Sequence, residues 1–478
     1  MAKRDRIVGT ELEYAISVAI EGEKGYRPLE CDSFLANNSL QGQLIKNGSF
    51  LSNGGKLYED QGFLEYATPE ESSIEGAVLR ELAGERVVMM ALANYLKMRP
   101  RYRAAYIRKH VIDSMDRTWG YHANHLAERR YIPELTEKAM HLLTLHIITS
   151  QAMLGGGTIQ QKQQQPDYGA FYYSFGQKAL DISRSVDSGT THNLKPIINT
   201  RDQPLANKAL YRRIHTTSLD PHISPWAMKM TLGTISLAIR AIEQQKGLFI
   251  ELDESLHTAP QAARLVAKDL TMQEKLRFDT ARGRVRLTAL EVQEAILEAV
   301  AQTQHTPEEA LILQYWQKAV VDLREDPMRL DDRSDAIARW VMIQDWNKRR
   351  DYDAENMSTN VAMAASYEYD RIFAIGIRRN PIDTESPMDG YDTSYPNRFR
   401  SGVMAAHMPP ELDIQKAIHN PPETTRALGR ALAIRAGTAG NQVDWDEYQV
   451  DGHKVVCADP YAPFPTAEDF VDEVRPSV

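Results

Sequence analysis

Gly9-Thr10-Glu11-Leu12-Glu13-Tyr14, set inside the longer run Arg6–Ala19, decides how this chain of 478 residues is read. Ile7, Val8, Leu12, Tyr14, Ile16 and Val18 give the run the composition of a strand, and residues two apart on a strand share a face. Glu11 and Glu13 therefore stand side by side on one surface, while Leu12 and Tyr14 face the other. Two adjacent carboxylates repel unless a cation lies between them. Magnesium, a hard ion with oxygen ligands, resolves that repulsion and brings nucleotide phosphates with it. The alternative from spacing alone is an exposed strand face carrying two solvated glutamates.

A second acidic stretch lies in Gly48–Ala67, where Lys56, Tyr58 and Asp60 share one strand face, and Glu65 and Thr68 follow a short glycine-containing turn. Such a face supplies a phosphate-binding lysine, a metal-facing tyrosine and glutamate, and a carboxylate left over for general-base work. An ordinary hairpin edge is the competing reading. Further on, Ile197-Ile198-Asn199-Thr200-Arg201-Asp202 ends an apolar strand with an arginine able to hold an anion bidentately, unless Arg201 only pairs with Asp202. His122 and His125 lack neighbouring cysteines and the zinc-protease spacing, so no zinc site is expected there. Gly155–Gly157 is followed by no Gly-Lys-Ser/Thr and fits no phosphate loop.

Outward from these stretches, 42% hydrophobic and 25% charged residues describe a globular chain with material for one large core or two unequal ones. No stretch reaches the roughly 20 apolar residues of a membrane span, and no apolar leader follows Met1–Arg6; a cytoplasmic protein away from membranes is expected. Cys31 and Cys457 support no disulfide framework, and a net charge of -9 without a basic run argues against nucleic acid as a partner. Helical periodicity predicts helices over Ile74–Lys97, Pro133–Leu154 and Pro225–Gln245, and dominates from Ala259 to Asp345. Strands are expected within Gly169–Arg184 and Leu194–Thr217, and loops over Gln160–Gln165 and Arg378–Pro410. A small terminal unit follows, with helices at Glu411–Asn420 and Glu423–Ala436 and short strands near Val443–Trp445 and Lys454–Cys457. The class is α+β.

Taken in order, Gly-Thr-Glu-Leu-Glu-Tyr (9–14), Asn-Gly-Gly-Lys-Leu-Tyr-Glu-Asp (53–60), Leu-Glu-Tyr-Ala-Thr-Pro-Glu (64–70), Pro-Ile-Ile-Asn-Thr-Arg-Asp (196–202), Tyr-Arg-Arg-Ile-His (211–215), Asn-Pro-Pro-Glu-Thr-Thr-Arg (420–426) and Val-Asp-Trp (443–445) resemble the family of the prokaryotic ubiquitin-like protein (Pup) ligase and its sister, the Pup deamidase or depupylase. Both are relatives of glutamine synthetase and glutamate–cysteine ligase. The resemblance implies a large catalytic domain (1–405) with a curved antiparallel sheet cradling ATP and magnesium, backed by helices, and a small C-terminal domain (406–478). It makes Glu11, Tyr58 and Glu65 magnesium ligands, with Glu13 beside them. It sets Lys56, Thr68 and Trp445 toward ATP, where Arg201, the anion-holding arginine read above, is expected to join them, and makes Asp60 the catalytic carboxylate. The implied partners are a Pup-like modifier and lysine-bearing target proteins, joined through a glutamyl phosphate on a C-terminal Glu. The short stretch from Val18 to Asn53 favours the ligase over the deamidase, whereas Gly-Thr-Glu at 9–11 and the step from Asp60 to Glu65 look like the deamidase. Amide hydrolysis, or a non-catalytic homologue that binds the modifier or a proteasome component, are the alternatives. Ala123, Phe175 and Pro221 depart from the family pattern.

Overall fold

The computed structural model describes residues 4–29, 31–36, 39–40, 43–44, 48–112, 117–161, 171–189, 195–248, 250–253, 255–349, 359–375, 400, 402, 404–450, 452–464 and 470–471. Its centre is β1 (Val8–Ile20), in which buried Val8, Leu12 and Tyr14 face away from the less buried Glu11 and Glu13, as the alternation requires. The other principal strands around it are β2 (Lys56–Asp60), β3 (Phe63–Ala67), β4 (Tyr102–Arg108), β5 (Tyr121–Glu128), β6 (Arg184–Asp187), β7 (Pro196–Asn199), β8 (Tyr211–Thr216) and β9 (Arg371–Ile375). With short edge pieces at Arg27–Pro28 and Ser49–Phe50 they make an 11-stranded sheet.

β1 pairs with β5 over Val8–Leu12 and with β3 over Glu11–Tyr14; beyond Tyr14 its partner is β4. β2 closes a hairpin on β3, β8 and β7 continue outward from β5, and β9 lies outside β4. Only β6 on β7 is parallel among these pairings, so the sheet is the antiparallel-rich one expected. The β2–β3 turn is two residues, Gln61 at φ 52° and Gly62 at φ 91°. Two successive positive φ values are what a tight hairpin of this hand demands, and glycine meets the demand without strain. That turn fixes Asp60 opposite Phe63, and Tyr58 opposite Glu65.

Helices cover the apolar face. α1 (Ile74–Lys97) starts behind Ser73, whose side chain accepts the Gly76 N–H, and is buried on nearly every side because the sheet, the helix Pro225–Glu243 and the helix Glu411–His419 all pack on it. Leu12, Tyr14, Leu57, Leu64 and Tyr66 of the sheet share one core with Val87, Val88 and Ala91 of α1. Behind it lie α2 (Glu137–Thr149), α3 (Pro225–Glu243), α4 (Ala289–Ala301), α5 (Pro307–Glu325) and α6 (Asp335–Lys348). α4 and α5 each open on a capping box, Thr288 with Glu291 and Thr306 with Glu309. Among the described residues no helix is long and apolar enough to cross a membrane.

The C-terminal residues add helices Glu411–His419 and Ala427–Arg435 and strands Glu447–Val450 and His453–Val456. A small separate core joins Ile434, Val443, Tyr448, Val455 and the buried Cys457 to Phe50 at the edge of the large sheet.

Several boundaries differ from the sequence reading. The helix expected over Pro133–Leu154 begins at Glu137 and is broken at Ser150, and the one expected from Glu423 begins at Ala427. Gln160 and Gln161 belong to a strand, Thr158–Gln161, paired with Phe171–Ser174, rather than to a loop; residues 162–165 lie outside the described residues, as does most of Arg378–Pro410. A hairpin, Lys275–Thr280 with Gly283–Thr288, interrupts the region read as helical, its period of two marked by buried Leu276 and Phe278 between charges. Near Val443–Trp445 there is a single bridge to Tyr448, and the strand starts at Glu447.

Candidate active site

Register brings the polar residues together. Cross-strand partners project from the same face of a sheet, so Glu13, Glu65 and Tyr58 form a row across β1, β3 and β2, with Asp60 one step along. On the other side of β1, Glu11 faces His122 of β5, and β8 adds Arg213 and His215 beyond it. The opposite faces of these strands carry Leu57, Leu64, Tyr121, Ala123 and Ile214, all buried. The polar side is therefore the open side.

Glu13, Asp60 and Glu65 offer carboxylate oxygens within 4.8 Å of one another. The Tyr58 hydroxyl donates to Glu65 Oε1 at 2.6 Å, and the Gly120 N–H donates to Glu13 Oε2 at 2.7 Å. Burial, and next the charge of Glu11, push the Glu65 carboxyl well above its ordinary range; the bond from Tyr58 opposes this only in part. Burial also raises Glu13, with the neighbouring Asp60 adding to the effect against the Gly120 N–H. The Tyr58 phenol is raised by burial and by Glu65 and Glu11. An all-oxygen donor set under mutual repulsion fits a hard divalent cation.

Glu11 stands apart from that trio. Arg213 Nη2 donates to its Oε1 at 2.9 Å, Asn124 Nδ2 to the same oxygen at 3.2 Å, and His122 Nδ1 lies 3.4 Å from Oε2. Burial works to raise Glu11, but Arg213, His122 and His215 outweigh it and hold the carboxyl well below the usual range. The His215 ring, 3.7 Å from Glu11, is kept neutral by burial and by Arg213.

Two cavities meet at this point. One, of about 680 Å³, is lined by Glu11, Tyr58, Asp60, Glu65, Arg201 and Arg213 among others. Its neighbour, of about 700 Å³, shares Glu11 and Arg213 and is lined by Thr68, Leu205, Arg426 and Trp445. Thr68 is held by its Oγ1, which accepts the Thr10 N–H at 2.9 Å. Trp445 reaches the sheet through an edge contact with Phe50, ring centres 4.9 Å apart. Its backbone is tied down by Arg430, which donates to the Trp445 carbonyl at 2.7 Å and pairs with Glu70. Burial would raise Glu70, but Arg430 and Arg426 draw it down to about 2. Lys56 lies on the same face, its Nζ 5.1 Å from the Phe50 ring centre and 5.2 Å from that of Tyr58. Arg201 makes no ion pair with Asp202, which is taken by Arg129 and Arg212; its own guanidinium donates to the Gly189 carbonyl.

The structure thus gathers Glu11, Tyr58, Asp60, Glu65 and Arg201 on one cavity, Thr68 and Trp445 on the next, and Glu13 and Lys56 on the same face. Sequence reasoning missed Arg213, Asn124 and His215 as part of the site. Their signal was present as period-two polar positions in Tyr-His-Ala-Asn-His (121–125) and Tyr-Arg-Arg-Ile-His (211–215).

Comparison with known proteins gives the chain its family. The Pup-ligase protein family profile matches residues 31–374. Over 99% of its length the chain is 27% identical to the Pup–protein ligase of Acidimicrobium ferrooxidans and 28% identical to that of Kineococcus radiotolerans, covering 99% of each. The solved structure of the Pup ligase PafA in complex with Pup aligns with a TM-score of 0.76 at 22% identity, over 97% of this chain and 91% of that one. PafA in complex with ADP aligns with a TM-score of 0.72 at 21% identity, over 88% of each chain. The fold is the one those structures share, and with more than half of its length inside the family match, this chain belongs to the Pup-ligase family.

Proposed function

We propose that this chain is an ATP- and magnesium-dependent carboxylate–amine ligase, joining the side-chain carboxylate of a C-terminal Glu on a Pup-like modifier to a protein lysine. The observation that carries the reading is the junction of the two cavities. Glu11, Tyr58, Asp60 and Glu65 line one and Thr68 and Trp445 the other, with Arg213 common to both. An anion-rich centre beside an aromatic-walled one suits a nucleotide whose phosphates point at the carboxylates.

In this reading residues 1–405 form the catalytic domain, and residues 406–478 a small domain whose Trp445 closes the nucleotide cavity. Thr68 and Trp445 hold the nucleoside end, and Lys56, Arg201 and Arg213 face the phosphates. Glu13, Glu65 and Tyr58, joined by Glu11 once Arg213 turns from it to the phosphates, would hold magnesium, which would supply charge neutralisation for the phosphates and the carboxylate that must approach them. The modifier's glutamate oxygen attacks the γ-phosphorus, ADP leaves, and an acyl phosphate results. The acceptor lysine must then lose a proton, since its amine has a free pKa of about 10.4. Asp60, at the hairpin end of β2, takes that proton; the nitrogen attacks the carbonyl carbon, phosphate departs, and an isopeptide bond remains.

The test is incubation of the protein with ATP, magnesium, a Glu-ended modifier and a lysine-bearing protein, and separately with a preformed conjugate. Conjugate and ADP forming together support the reading. Cleavage without formation makes the chain an amide hydrolase, and neither activity makes it a binding homologue.

A further inference from the structure

Past Tyr14 the polar face of β1 leaves the carboxylates and meets a third cavity, of about 1030 Å³, walled by Phe63, Trp119, Arg108 and His110. Arg108 stands opposite Ala15, two residues and so about 6.8 Å along the same face from Glu13. Its guanidinium lies 5.2 Å from the Tyr106 ring centre and 5.8 Å from that of Tyr367, and among the described residues no carboxylate or carbonyl pairs with it. His110 is 5% exposed, and among the described residues neither of its ring nitrogens has a hydrogen-bond partner. The Asp370 carboxylate lies 3.8 Å from Nδ1 and is itself held by Arg339 at 2.9 Å. Trp119 packs edge-on against the His110 ring at 4.6 Å and touches Phe63 at 5.6 Å; Phe63 is the residue opposite Asp60.

Among the described residues, a buried imidazole without a hydrogen-bond partner and an arginine without a salt bridge leave donors open to a ligand. The ligand must be an anion, and the wall repels the ammonium of an acceptor lysine. The proposed reaction supplies a suitable one. A C-terminal glutamate carries two carboxylates with carbons roughly 5 Å apart when extended, and only the side-chain one reacts. We infer that this cavity holds the free α-carboxylate of the modifier's last residue, with Arg108 as its charge partner and a His110 ring N–H as a second donor. The side-chain carboxylate of the same residue then reaches the Glu13–Asp60 cluster. This assignment rests on the ligase reading above. It sets the modifier on the Arg108 side of Asp60 and the nucleotide on the Arg213 side, leaving the acceptor lysine a third approach.

The test is a cycle between one ligand group and one side chain. Two fluorescein-labelled peptides ending in Glu, one with a free α-carboxylate and one with an α-carboxamide, are titrated into the whole protein by anisotropy, with saturating ADP and magnesium. Wild type is expected to bind the amide roughly tenfold to a hundredfold more weakly, the loss of a charge-assisted hydrogen bond. Arg108→Met, checked for folding by its ADP affinity, is expected to bind both peptides weakly and within about threefold of each other; His110→Leu gives a second cycle with a smaller loss. Equal affinities of wild type for the two peptides overturn the assignment, as does full discrimination persisting in Arg108→Met and His110→Leu. Binding is read without turnover. Discrimination in a protein that makes no conjugate overturns the ligase reading and leaves this site standing, and conjugation without discrimination does the reverse.

Discussion

Carboxylates lie on both sides of the central sheet, equally hidden from water and held in opposite ways. On the helix side, Glu85 is fully buried, and receives Arg400 at 2.6 and 2.9 Å and Lys109 at 2.9 Å. Glu81, one turn away, takes Lys109 at 2.8 Å and the Tyr121 hydroxyl at 2.7 Å. Burial would raise Glu85, yet Arg400 and Lys109 draw it down to about 2. On the open side, Glu65 is 4% exposed, receives one hydrogen bond from a phenol, and is raised well above its ordinary range. Depth is nearly the same and the fold is the same; the difference is the cation. Glu85, to which the protein supplies one, is structural, and Glu65, from which it withholds one, keeps its place for a ligand.

The largest expected effect breaks the open side. Asp60→Asn keeps shape and removes the basic oxygen, so conjugate formation is expected to fall by about 10²–10⁴-fold in the chemical step while ADP affinity stays within a few-fold. Single-turnover conjugation and calorimetry read the two quantities separately. Unchanged conjugation would remove Asp60 from the chemistry.

The next breaks the helix side. Glu85→Ala removes the carboxylate that Lys109 and Arg400 share in a dry interior and leaves Lys109 only Glu81 of its two acids, and destabilisation by about 3–5 kcal/mol is expected. Denaturant unfolding checks it; a loss below about 1 kcal/mol, the range of exposed pairs, would mean that water reaches the network.

These two variants also mark what the chain revealed before its fold was known. The separation of Glu11 and Glu13 from Leu12 and Tyr14 follows from one strand's period, and so was legible; so was the face joining Tyr58 to Asp60. Which strands flank β1 is not written locally. Arg213 and Asn124 reach Glu11 only because β5 and β8 are laid beside β1 from far along the sequence. Glu81 and Glu85 lie four apart on a helix, a spacing that puts them on one face and does not say how deep that face lies. They are buried because α1 is covered on both sides, a fact of tertiary packing. Helical periodicity likewise hid the Lys275–Thr288 hairpin, whose alternating run is only six residues per strand.

A smaller effect concerns the nucleotide wall. Trp445 contributes an indole edge-on to Phe50, with the Arg430 guanidinium 5.1 Å from its ring centre. Trp445→Ala is expected to weaken ATP binding by about 1–2 kcal/mol, roughly five- to thirtyfold, from lost aromatic area and the cation–π contact. The effect on the chemical step at saturating ATP is expected to be small. A drop in single-turnover rate with ATP affinity unchanged would place Trp445 away from the nucleotide.

The smallest effect sharpens the comparison most, because its sign differs on the two sides of the sheet. For Glu85, the folded value of about 2 lies below the ordinary 4.5, so its contribution is present above pH 4.5 and is lost as pH falls through the folded value. For Glu65 the folded value lies above 4.5, so the folded protein binds the proton more tightly than the unfolded chain. Metal-free stability therefore falls as pH rises from 4.5 through the Glu65 folded value. Glu65→Gln removes that titration: the metal-free variant is expected to gain up to about 1 kcal/mol over wild type near neutral pH, and to lose most of the thermal shift that magnesium gives wild type. Thermal melts at pH 5 and pH 8, with EDTA and with magnesium, measure all four states. A Glu65→Gln protein less stable than wild type at pH 8 in EDTA would show that the open-side carboxylate is paired after all, and the distinction between the two faces would fail there.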